Sequence, residues 1–281
     1  MLPGQPSRTL LGPALRRAVH QLLDYPRIFE DPVAVGLIPE ASERAILATL
    51  DDHRSRDATL LRSLFALRSR FAEDRLTEAA ARGIQQYVIV GAGLDTFPWR
   101  QPKYARAMRI FAADHVATLA WTQVRFWERG LPKPENLTFV PTDLEADLLG
   151  ERLAEFGFDP RLATFCSVLG VVQYLDSDAV ERLLRFATSL VSDSEIVLSF
   201  VLPDDGTNRD ELAHRLGSNA ETLGEPWKTF HRPRHLVERL TRMGFRDVFH
   251  LAPECAQQRY FSGRQDGLRA PQSEQLMAAI V

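Results

Sequence analysis

The sequence predicts an α/β fold of the Rossmann-like type, with a mostly parallel seven-stranded sheet, helices on both faces and an added helical cap. Two observations support this. From residue 85 onward, short apolar runs alternate with longer amphipathic segments, as in strand-helix-strand units. The first run, Tyr87 to Val90, is followed at once by Gly91 and Gly93. Glycines at the end of a buried strand let a ligand approach the backbone, because they carry no Cβ.

Residues 1–84 are predicted to be helical and to border the pocket. Apolar residues recur at helical spacing, and Pro26 ends the first of these segments. Helices are predicted at residues 7–23, from about residue 32, at 43–50 and at 57–82. Arg68 and Arg70 interrupt the apolar face of the last and longest of these helices. One of them is placed to grip a carboxylate through two hydrogen bonds, unless both form solvent-exposed pairs one helical turn apart.

Residues 85–265 are predicted to form the core of the fold. Strands are predicted at residues 87–90, 108–113, 137–140, 161–172 and 195–202, with a closing antiparallel pair at 245–251 and 258–261. Helices are predicted at residues 115–129, 146–156, 177–190 and 234–243. Residues 203–235 break the alternation, contain a polar helical segment at 208–216, and are expected to cap the carboxyl edge of the sheet. Residues 266–281 are predicted to be a loose tail with a short helix at 274–280.

The residues after the second glycine indicate which ligand the turn accepts. A dinucleotide-binding fold places a third glycine at the position of Thr96, where the helix meets a pyrophosphate. Asp95 beside it would repel a pyrophosphate but would tolerate a phosphate-free cofactor with a positive centre. S-adenosylmethionine, which carries a sulfonium and an ammonium, meets that description. An ordinary tight turn is one alternative, and an NAD-dependent oxidoreductase, suggested by the glycines and Asp114, is another.

Two acids follow the next strands. Asp114 lies 23 residues after Gly91, where a carboxylate typically accepts hydrogen bonds from both ribose hydroxyls. Asp143 is placed to accept from an adenine amino group, with Leu144 packing on the ring. Each acid has a second interpretation, as the cap of the helix that follows it. Tyr174 comes after the fourth strand and is expected to face the group being transferred.

Composition narrows the class of protein. The net charge is −3 over 281 residues, so the basic surplus of a nucleic-acid-binding protein is missing. Cys166 and Cys255 show neither metal-binding nor redox spacing, and no metal site is predicted. The sequence shows no signal-peptide pattern and no apolar run of membrane-spanning length. We therefore expect a cytoplasmic monomer or homodimer that binds a small-molecule substrate and neither nucleic acid nor membrane.

Six segments, in order between residues 15 and 260, carry a resemblance to a known family. They are Phe29 to Ala34, Arg68 to Phe71, Val90 to Arg100, Asp114 with His115, Thr142 to Leu144, and Leu169 to Leu175. A Gly-x-Gly pair alone would mean little, whereas six segments in the same order make chance similarity improbable. The sequence resembles the class I S-adenosylmethionine-dependent methyltransferases. Within that class it is most similar to the leucine carboxyl methyltransferase-like branch, which includes bacterial O-methyltransferases of secondary metabolism.

The resemblance implies a cofactor site. Its residues would be Arg68 at the methionyl carboxylate, Gly91, Ala92 and Gly93 along the methionine, Asp114 and His115 at the ribose, Asp143 and Leu144 at the adenine, and Leu169 after the fourth strand. Three positions depart from the family pattern. Ala112 and Leu169 stand where many members carry an acid, and Val116 stands where many carry proline. Since Leu169 removes a cofactor-holding or catalytic carboxylate, an inactive cofactor-binding scaffold is a further alternative.

The reaction implied by the resemblance asks little of the protein beyond alignment. Methyl transfer from a sulfonium is an in-line displacement that also requires exclusion of water. A carboxylate acceptor needs no general base, whereas a phenol, alcohol or amine benefits from one. The candidate bases are Tyr25, Tyr174, His20, His231 and His235, and His20 also fits a structural role. The predicted activity is O-methylation of a small-molecule carboxylate or hydroxyl, with a protein or peptide carboxylate as the alternative acceptor.

Overall fold

The computed structural model describes residues 6–38, 43–204 and 211–281, and a seven-stranded sheet forms its centre. The strands are β1 (Gln86–Val90), β2 (Arg109–Asp114), β3 (Leu137–Pro141), β4 (Thr164–Val168), β5 (Glu195–Val201), β6 (Asp247–Leu251) and β7 (Glu274–Ile280). Their order is β3-β2-β1-β4-β5-β7-β6, and β7 runs antiparallel to both of its neighbours. The predicted mostly parallel, Rossmann-like sheet is confirmed.

Helices fill the connections between the strands and precede the sheet. They are α1 (Leu11–Leu23), α2 (Pro32–Leu37), α3 (Glu43–Ala48), α4 (Leu50–Arg54), α5 (Arg56–Ala81), α6 (Phe97–Arg100), α7 (Val116–Glu128), α8 (Leu149–Glu155), α9 (Ser177–Thr188), α10 (Glu211–Thr222), α11 (Pro233–Met243) and α12 (Pro253–Tyr260). None of the helices in the described residues combines the length and the apolar composition that a membrane crossing requires.

Both faces of the sheet are covered, which explains why its inner strands read as unbroken apolar runs. Side chains along a strand alternate between faces. Accordingly, Tyr87 and Ile89 lie in the core beneath α5, whereas Val88 and Val90 lie in the core beneath α9 and α11. Every residue of β1 is buried. The order of strands reverses between β1 and β4, so the loops after these two strands border the crevice where doubly wound sheets bind ligands.

A third apolar cluster attaches the amino-terminal helices to that crevice. Ala14, Ala18 and Val19 of α1 pack with Leu37 of α2 and with Leu94, which follows the glycine turn after β1. All five side chains are buried. Because one face of α1 is used against the glycine turn, the neighbouring face of α1 forms a wall of the crevice.

The carboxyl-terminal segment differs from its prediction. Residues 274–280, predicted as a short helix in a loose tail, form β7 in the sheet between β5 and β6. Residues 258–261, predicted as the strand beside β6, instead end α12 and the turn after it. The run Leu276 to Ile280 suits a helix or a strand equally well by local propensity. Its place is decided by the unpaired edge of β5, whose backbone groups need a partner.

The predicted cap is partly visible. The helix α10 (Glu211–Thr222) and the irregular segment after it, residues 223–232, lie between β5 and α11 in the chain. The helical prediction at 208–216 begins in residues 205–210, which lie outside the described residues. Within the described part, α10 supplies residues to the wall of the crevice, as a cap would.

Candidate active site

The turn after β1 can be built only with glycine at two positions. Gly91 and Gly93 have φ of +67° and +48°, in the left-handed region that residues with a Cβ rarely adopt. A Cβ on Gly91 would lie 2.2 Å from Cγ2 of Val171, and one on Gly93 would lie 2.6 Å from Cδ2 of Leu10. The loop after β4 and the residues before α1 therefore both approach the bare backbone of this turn.

Asp114 at the end of β2 fastens the same turn. Its Oδ2 accepts a hydrogen bond from the backbone N–H of Gly93 at 2.8 Å, and its Oδ1 accepts from the N–H of His115 at 2.7 Å. Burial raises the pKa of Asp114 to about 6, against the effect of these two hydrogen bonds. The alternative role as a helix cap is wrong, because His115 occupies the cap position of α7 and accepts from Ala117.

Asp143 lies beside Asp114 at the edge of the sheet. It is exposed, and its Oδ1 accepts from the N–H of Glu145 at 3.0 Å in a local turn. The alternative role as the cap of α8 is also wrong, because that helix begins only at Leu149. Thr142, Asp143 and Leu144 line a cavity of about 560 Å³ together with Asp114.

A network that the sequence analysis missed holds the turn from the other side. Oδ2 of Asp31 accepts hydrogen bonds from Thr96 Oγ1 at 2.8 Å and from Arg17 Nε at 3.1 Å, while Oδ1 accepts from the N–H of Ala34. Thr96 in turn accepts from Arg100 Nε at 2.9 Å. The residue at the third-glycine position, Thr96, thus connects the turn to the start of α2 through its hydrogen bond to Asp31. The signal was present, since Asp31 and Thr96 both lie in segments that carry the resemblance.

Arg68 points from α5 into the crevice. Its Nε and Nη2 both donate to the carboxylate of Glu274 at the start of β7, and its guanidinium lies 4.8 Å from the ring centroid of Phe65. A Cβ on Gly170 would lie 2.5 Å from Nη1 of Arg68. The alternative of a solvent-exposed pair is wrong for Arg68 but correct for Arg70, which is exposed and pairs with Asp74 at 2.8 Å.

A second cavity of about 330 Å³ continues from the glycine turn toward Arg68. The residues shared by both cavities are Thr9, Leu10, Gly91, Gly170 and Tyr174. We call the two together the cleft, with an acid end at Asp114 and Asp143 and an arginine end at Arg68. The glycine turn lies at their junction, and Ala92 lines the arginine end. Such a cleft suits an elongated ligand with a polar group at each extremity.

Glu225, from the segment after α10, closes the acid end and was not singled out from the sequence. This buried carboxylate accepts hydrogen bonds from Ser7 Oγ and Thr9 Oγ1, each at 2.8 Å, and from the N–H of Arg8 at 3.0 Å. It also contributes to the raised pKa of Asp114. The residues before α1 are thereby held across the cleft by the cap.

Comparison with known proteins decides the family. The model of the leucine carboxyl methyltransferase family matches residues 10–188. The chain belongs to this family. The Bacillus subtilis (strain 168) protein YktD is 29% identical over 299 residues, covering 96% of each chain, and a Mycobacterium avium (strain 104) protein is 31% identical over 219 residues, covering 74% of this chain and 68% of that one. Both relatives are named among the S-adenosyl-L-methionine-dependent methyltransferases.

Solved structures agree in fold. A Streptomyces avermitilis protein of the DUF574 family superposes with a TM-score of 0.59 at 14% identity, covering 95% of this chain and 96% of that one. A Thermobifida fusca protein described as a methyltransferase gives 0.57 at 17% identity, covering 99% and 96%. At these identities the likeness shows the fold alone, which is the Rossmann-like fold of the class I methyltransferases.

Leu169 is the departure from the family pattern that matters most at the site. It lines the arginine end of the cleft and packs against the core beneath α5. In this chain a carboxylate reaches the same end of the cleft from β7, as Glu274 bound to Arg68.

Of the candidate bases, the structure brings Tyr174 to the cleft. Tyr174 lines both cavities, and burial raises the pKa of its hydroxyl. A further polar atom at the arginine end, Gln173 Oε1, is buried and has no hydrogen-bond partner in the described residues. The sequence does not single out Gln173, because only the packing decides whether a glutamine side chain is left without a partner.

The three candidate histidines lie away from the cleft linings that the described residues form. Both ring nitrogens of His20 are occupied: Nδ1 bonds Asp24 at 2.8 Å, and Nε2 accepts from the N–H groups of Ile28 and Phe29. Burial, followed by the charge of Arg239, lowers the pKa of His231 to about 4. His235 is exposed on α11. The prediction that one of these histidines borders the acceptor is corrected accordingly, since none of them is among the residues that line the cleft.

Proposed function

We propose that this chain transfers a methyl group from S-adenosyl-L-methionine to an oxygen atom of a small-molecule acceptor. The observation that carries the proposal is the cleft, whose acid end and arginine end meet at two glycines that tolerate no Cβ. When bound, the cofactor supplies a methyl group made electrophilic by the attached sulfonium. Family membership and the absence of a third glycine at Thr96 both support this cofactor over a dinucleotide.

The residues present fit such a cofactor. Each oxygen of Asp114 accepts one backbone hydrogen bond and has a second lone pair for a ribose hydroxyl. Asp143 and Leu144 lie beyond it, where the base would extend. Asp95 lines the other cavity and gives the cofactor's ammonium an opposite charge.

Arg68 is prepared for the cofactor's carboxylate by Glu274. The Nε and Nη2 edge of the guanidinium is held by Glu274, which leaves the Nη1 edge for a second carboxylate. The fixed edge also removes rotamer freedom from Arg68, so less entropy is lost when the cofactor binds. In this proposal Glu274 is a positioning residue for Arg68.

The acceptor would occupy the rest of the arginine end. Leu61 and Phe65 of α5 and Leu216 of α10 supply apolar walls that exclude water, as methyl transfer requires. Tyr174 keeps its proton at neutral pH because its pKa is raised, so it donates a hydrogen bond rather than serving as a base. The site therefore favours an acceptor oxygen that arrives already ionised, such as a carboxylate.

Titration calorimetry tests the cofactor assignment. We expect S-adenosylhomocysteine to bind the purified chain with a stoichiometry of one and NAD to give no heat. Binding of NAD without binding of S-adenosylhomocysteine would establish the oxidoreductase alternative. Transfer of labelled methyl groups from the cofactor into the small-molecule fraction of a cell extract, compared with the protein fraction, separates a small acceptor from a peptide carboxylate. Label in neither fraction would support the inactive scaffold.

A further inference from the structure

Arg16 is a cation in the cleft without a counter-charge. It follows Pro13 on the cleft side of α1, lines the arginine end and is half-buried. Two other arginines there are paired, Arg17 with Asp31 at 3.1 Å and Arg68 with Glu274. Among residues 6–38, 43–204 and 211–281, the Arg16 guanidinium makes no ion pair and no hydrogen bond. A partly desolvated guanidinium without a partner is costly, so this position calls for an anion.

The surroundings of Arg16 add to its positive potential. Burial lowers the pKa of Arg16, and the neighbouring charge of Arg62 lowers it further. The negative charge nearest to Arg62 is already engaged, because Asp24 accepts hydrogen bonds from Arg62 Nε and Nη2 at 2.8 and 3.0 Å. Asp24 also bonds His20 through Oδ2, and it makes no hydrogen bond or ion pair with Arg16.

His53 is the third group at this place. Its Nδ1 is buried without a hydrogen-bond partner in the described residues. Its pKa is lowered by burial and then by the charges of Arg16 and Arg62, with Asp52 opposing them. His53 lies beside Arg62, whose Nη1 donates to its backbone carbonyl, but it is not among the residues that line the cleft. Its unsatisfied Nδ1 shows that the polar groups around Arg62 are incompletely paired.

The region beside Arg16 and Arg62 is separate from the position proposed for the cofactor's carboxylate. Arg62, the neighbour of Arg16, precedes Arg68 by six residues on α5, which is about 9 Å along the helix axis. Asp95 faces the cofactor's ammonium, and Glu274 is held by Arg68. A bound cofactor would bring its sulfonium into the cleft and leave the charge of Arg16 uncompensated. The remaining anion must therefore come with the acceptor.

We propose that Arg16 binds a negatively charged group of the methyl acceptor and so restricts the acceptors to anions. The inference rests on the proposed function, because it assumes that the cofactor fills the other part of the cleft. The ligand chemistry is a carboxylate or a phosphate monoester, either of which matches the planar donor fork of a guanidinium. Apolar Leu61 and Phe65 beside Arg16 indicate that this group is attached to an apolar body.

Calorimetry on the full chain saturated with S-adenosylhomocysteine tests the inference. The probes are benzoate, phenylacetate, 3-phenylpropanoate and phenyl phosphate, each compared with a neutral analogue: the carboxamide for the acids and phenol for the phosphate. We expect at least one anion to bind the wild type at least tenfold more tightly than its neutral analogue. In Arg16→Gln that preference should vanish, and in Arg16→Lys part of it should remain. Arg234→Gln, whose side chain is 88% exposed on α11, is the matched control and should bind like the wild type.

The outcomes separate the two proposals. Wild-type protein that prefers no anion over its neutral analogue, or Arg16→Gln that keeps the preference, overturns the role of Arg16. So does Arg16→Gln that binds S-adenosylhomocysteine tenfold more weakly, because Arg16 would then serve the cofactor. The affinity for S-adenosylhomocysteine also reports that the variant is folded, and Arg16→Lys gives a second folded comparison. If the wild type itself fails to bind S-adenosylhomocysteine, the proposed function fails and this inference fails with it.

Discussion

The half-buried carboxylate of Asp114 should lower the stability of the cofactor-free protein at neutral pH, and the variant Asp114→Asn should reveal this effect. Burial raises its pKa from the ordinary 3.8 to about 6, so the folded state binds this proton more tightly than the unfolded state does. The stabilisation from Asp114 is therefore complete below pH 3.8 and is lost as the pH rises through 6. A shift of this size corresponds to about 3 kcal/mol in full. About 1.4 kcal/mol of it falls between pH 5 and pH 8.

Urea unfolding of both proteins without cofactor, at pH 5, 6, 7 and 8, measures this term. Asparagine loses one backbone hydrogen bond, because its amide nitrogen faces an N–H group, and that loss of about 1–3 kcal/mol is independent of pH. The change of the free energy of unfolding with pH is therefore the quantity that isolates the ionisation of Asp114. From pH 5 to pH 8 the wild type should lose about 1.4 kcal/mol more of its free energy of unfolding than Asp114→Asn does. Parallel pH profiles would refute an ionised, poorly solvated carboxylate at this position.

The same variant tests the ribose assignment. Hydrogen bonds to an ionised acceptor contribute about 1.5–3 kcal/mol each, so Asp114→Asn should bind S-adenosylhomocysteine at least tenfold more weakly at pH 8. The wild type should also lose about tenfold in affinity at pH 5, where Asp114 is mostly protonated. Asp247→Asn, on the exposed edge strand β6, is the matched control for both measurements. Unchanged affinity in Asp114→Asn would remove the ribose contact from the proposal.

Four further variants test the arginine end and the histidines. Glu274→Gln should weaken S-adenosylhomocysteine binding about tenfold by calorimetry, because Arg68 loses its ionised partner; an unchanged affinity would show that Arg68 needs no positioning. Gly170→Ala should weaken it at least as much, since a Cβ there would lie 2.5 Å from Nη1 of Arg68 and φ is +71°; affinity like that of the wild type would contradict the placement of Arg68. His20→Ala should lower the free energy of unfolding by about 2–4 kcal/mol, because it leaves buried polar partners unsatisfied. His231→Gln should leave the rate of methyl transfer unchanged. A loss of activity in folded His231→Gln would restore His231 as a candidate base.

The parts of the fold that local patterns decide were predictable from the sequence. The apolar run Tyr87 to Val90 with its glycines located β1 and the turn, and β5 was found by the same kind of signal. The shared position of Asp114 and Asp143 could be predicted, because Asp114 ends β2 and Asp143 lies two residues after β3, and the carboxyl ends of parallel strands share one edge. Position after a strand is a local property, and it was sufficient to bring these acids together.

The parts that depend on contacts distant in the chain were not predictable. The strand β7 is separated from its partner β5 by the whole of residues 202–273, and its own residues suit a helix equally well. Glu274, which binds Arg68 across 206 positions, therefore went unnoticed. A histidine base could not be predicted for a related reason, since a titratable residue type says nothing about exposure, although the alternative structural role of His20 agrees with its hydrogen bonds. His20 became a structural residue only because its neighbours used both of its ring nitrogens.

Helix α5 sets the distance between the two proposed anion positions of the cleft, one beside Arg16 and one beside Arg68. It carries Arg62, held by Asp24 from the amino-terminal helices, and six residues later Arg68, held by Glu274 from the last strand. Each guanidinium is thus fixed by a carboxylate from an opposite end of the chain. Because an α-helix is stiff, the distance between the region beside Arg62 and the region beside Arg68 is set by helical rise rather than by loops. In the proposed function, this fixed spacing holds an anionic acceptor beside Arg16 at a constant distance from the cofactor's carboxylate, which is the alignment that an in-line displacement requires.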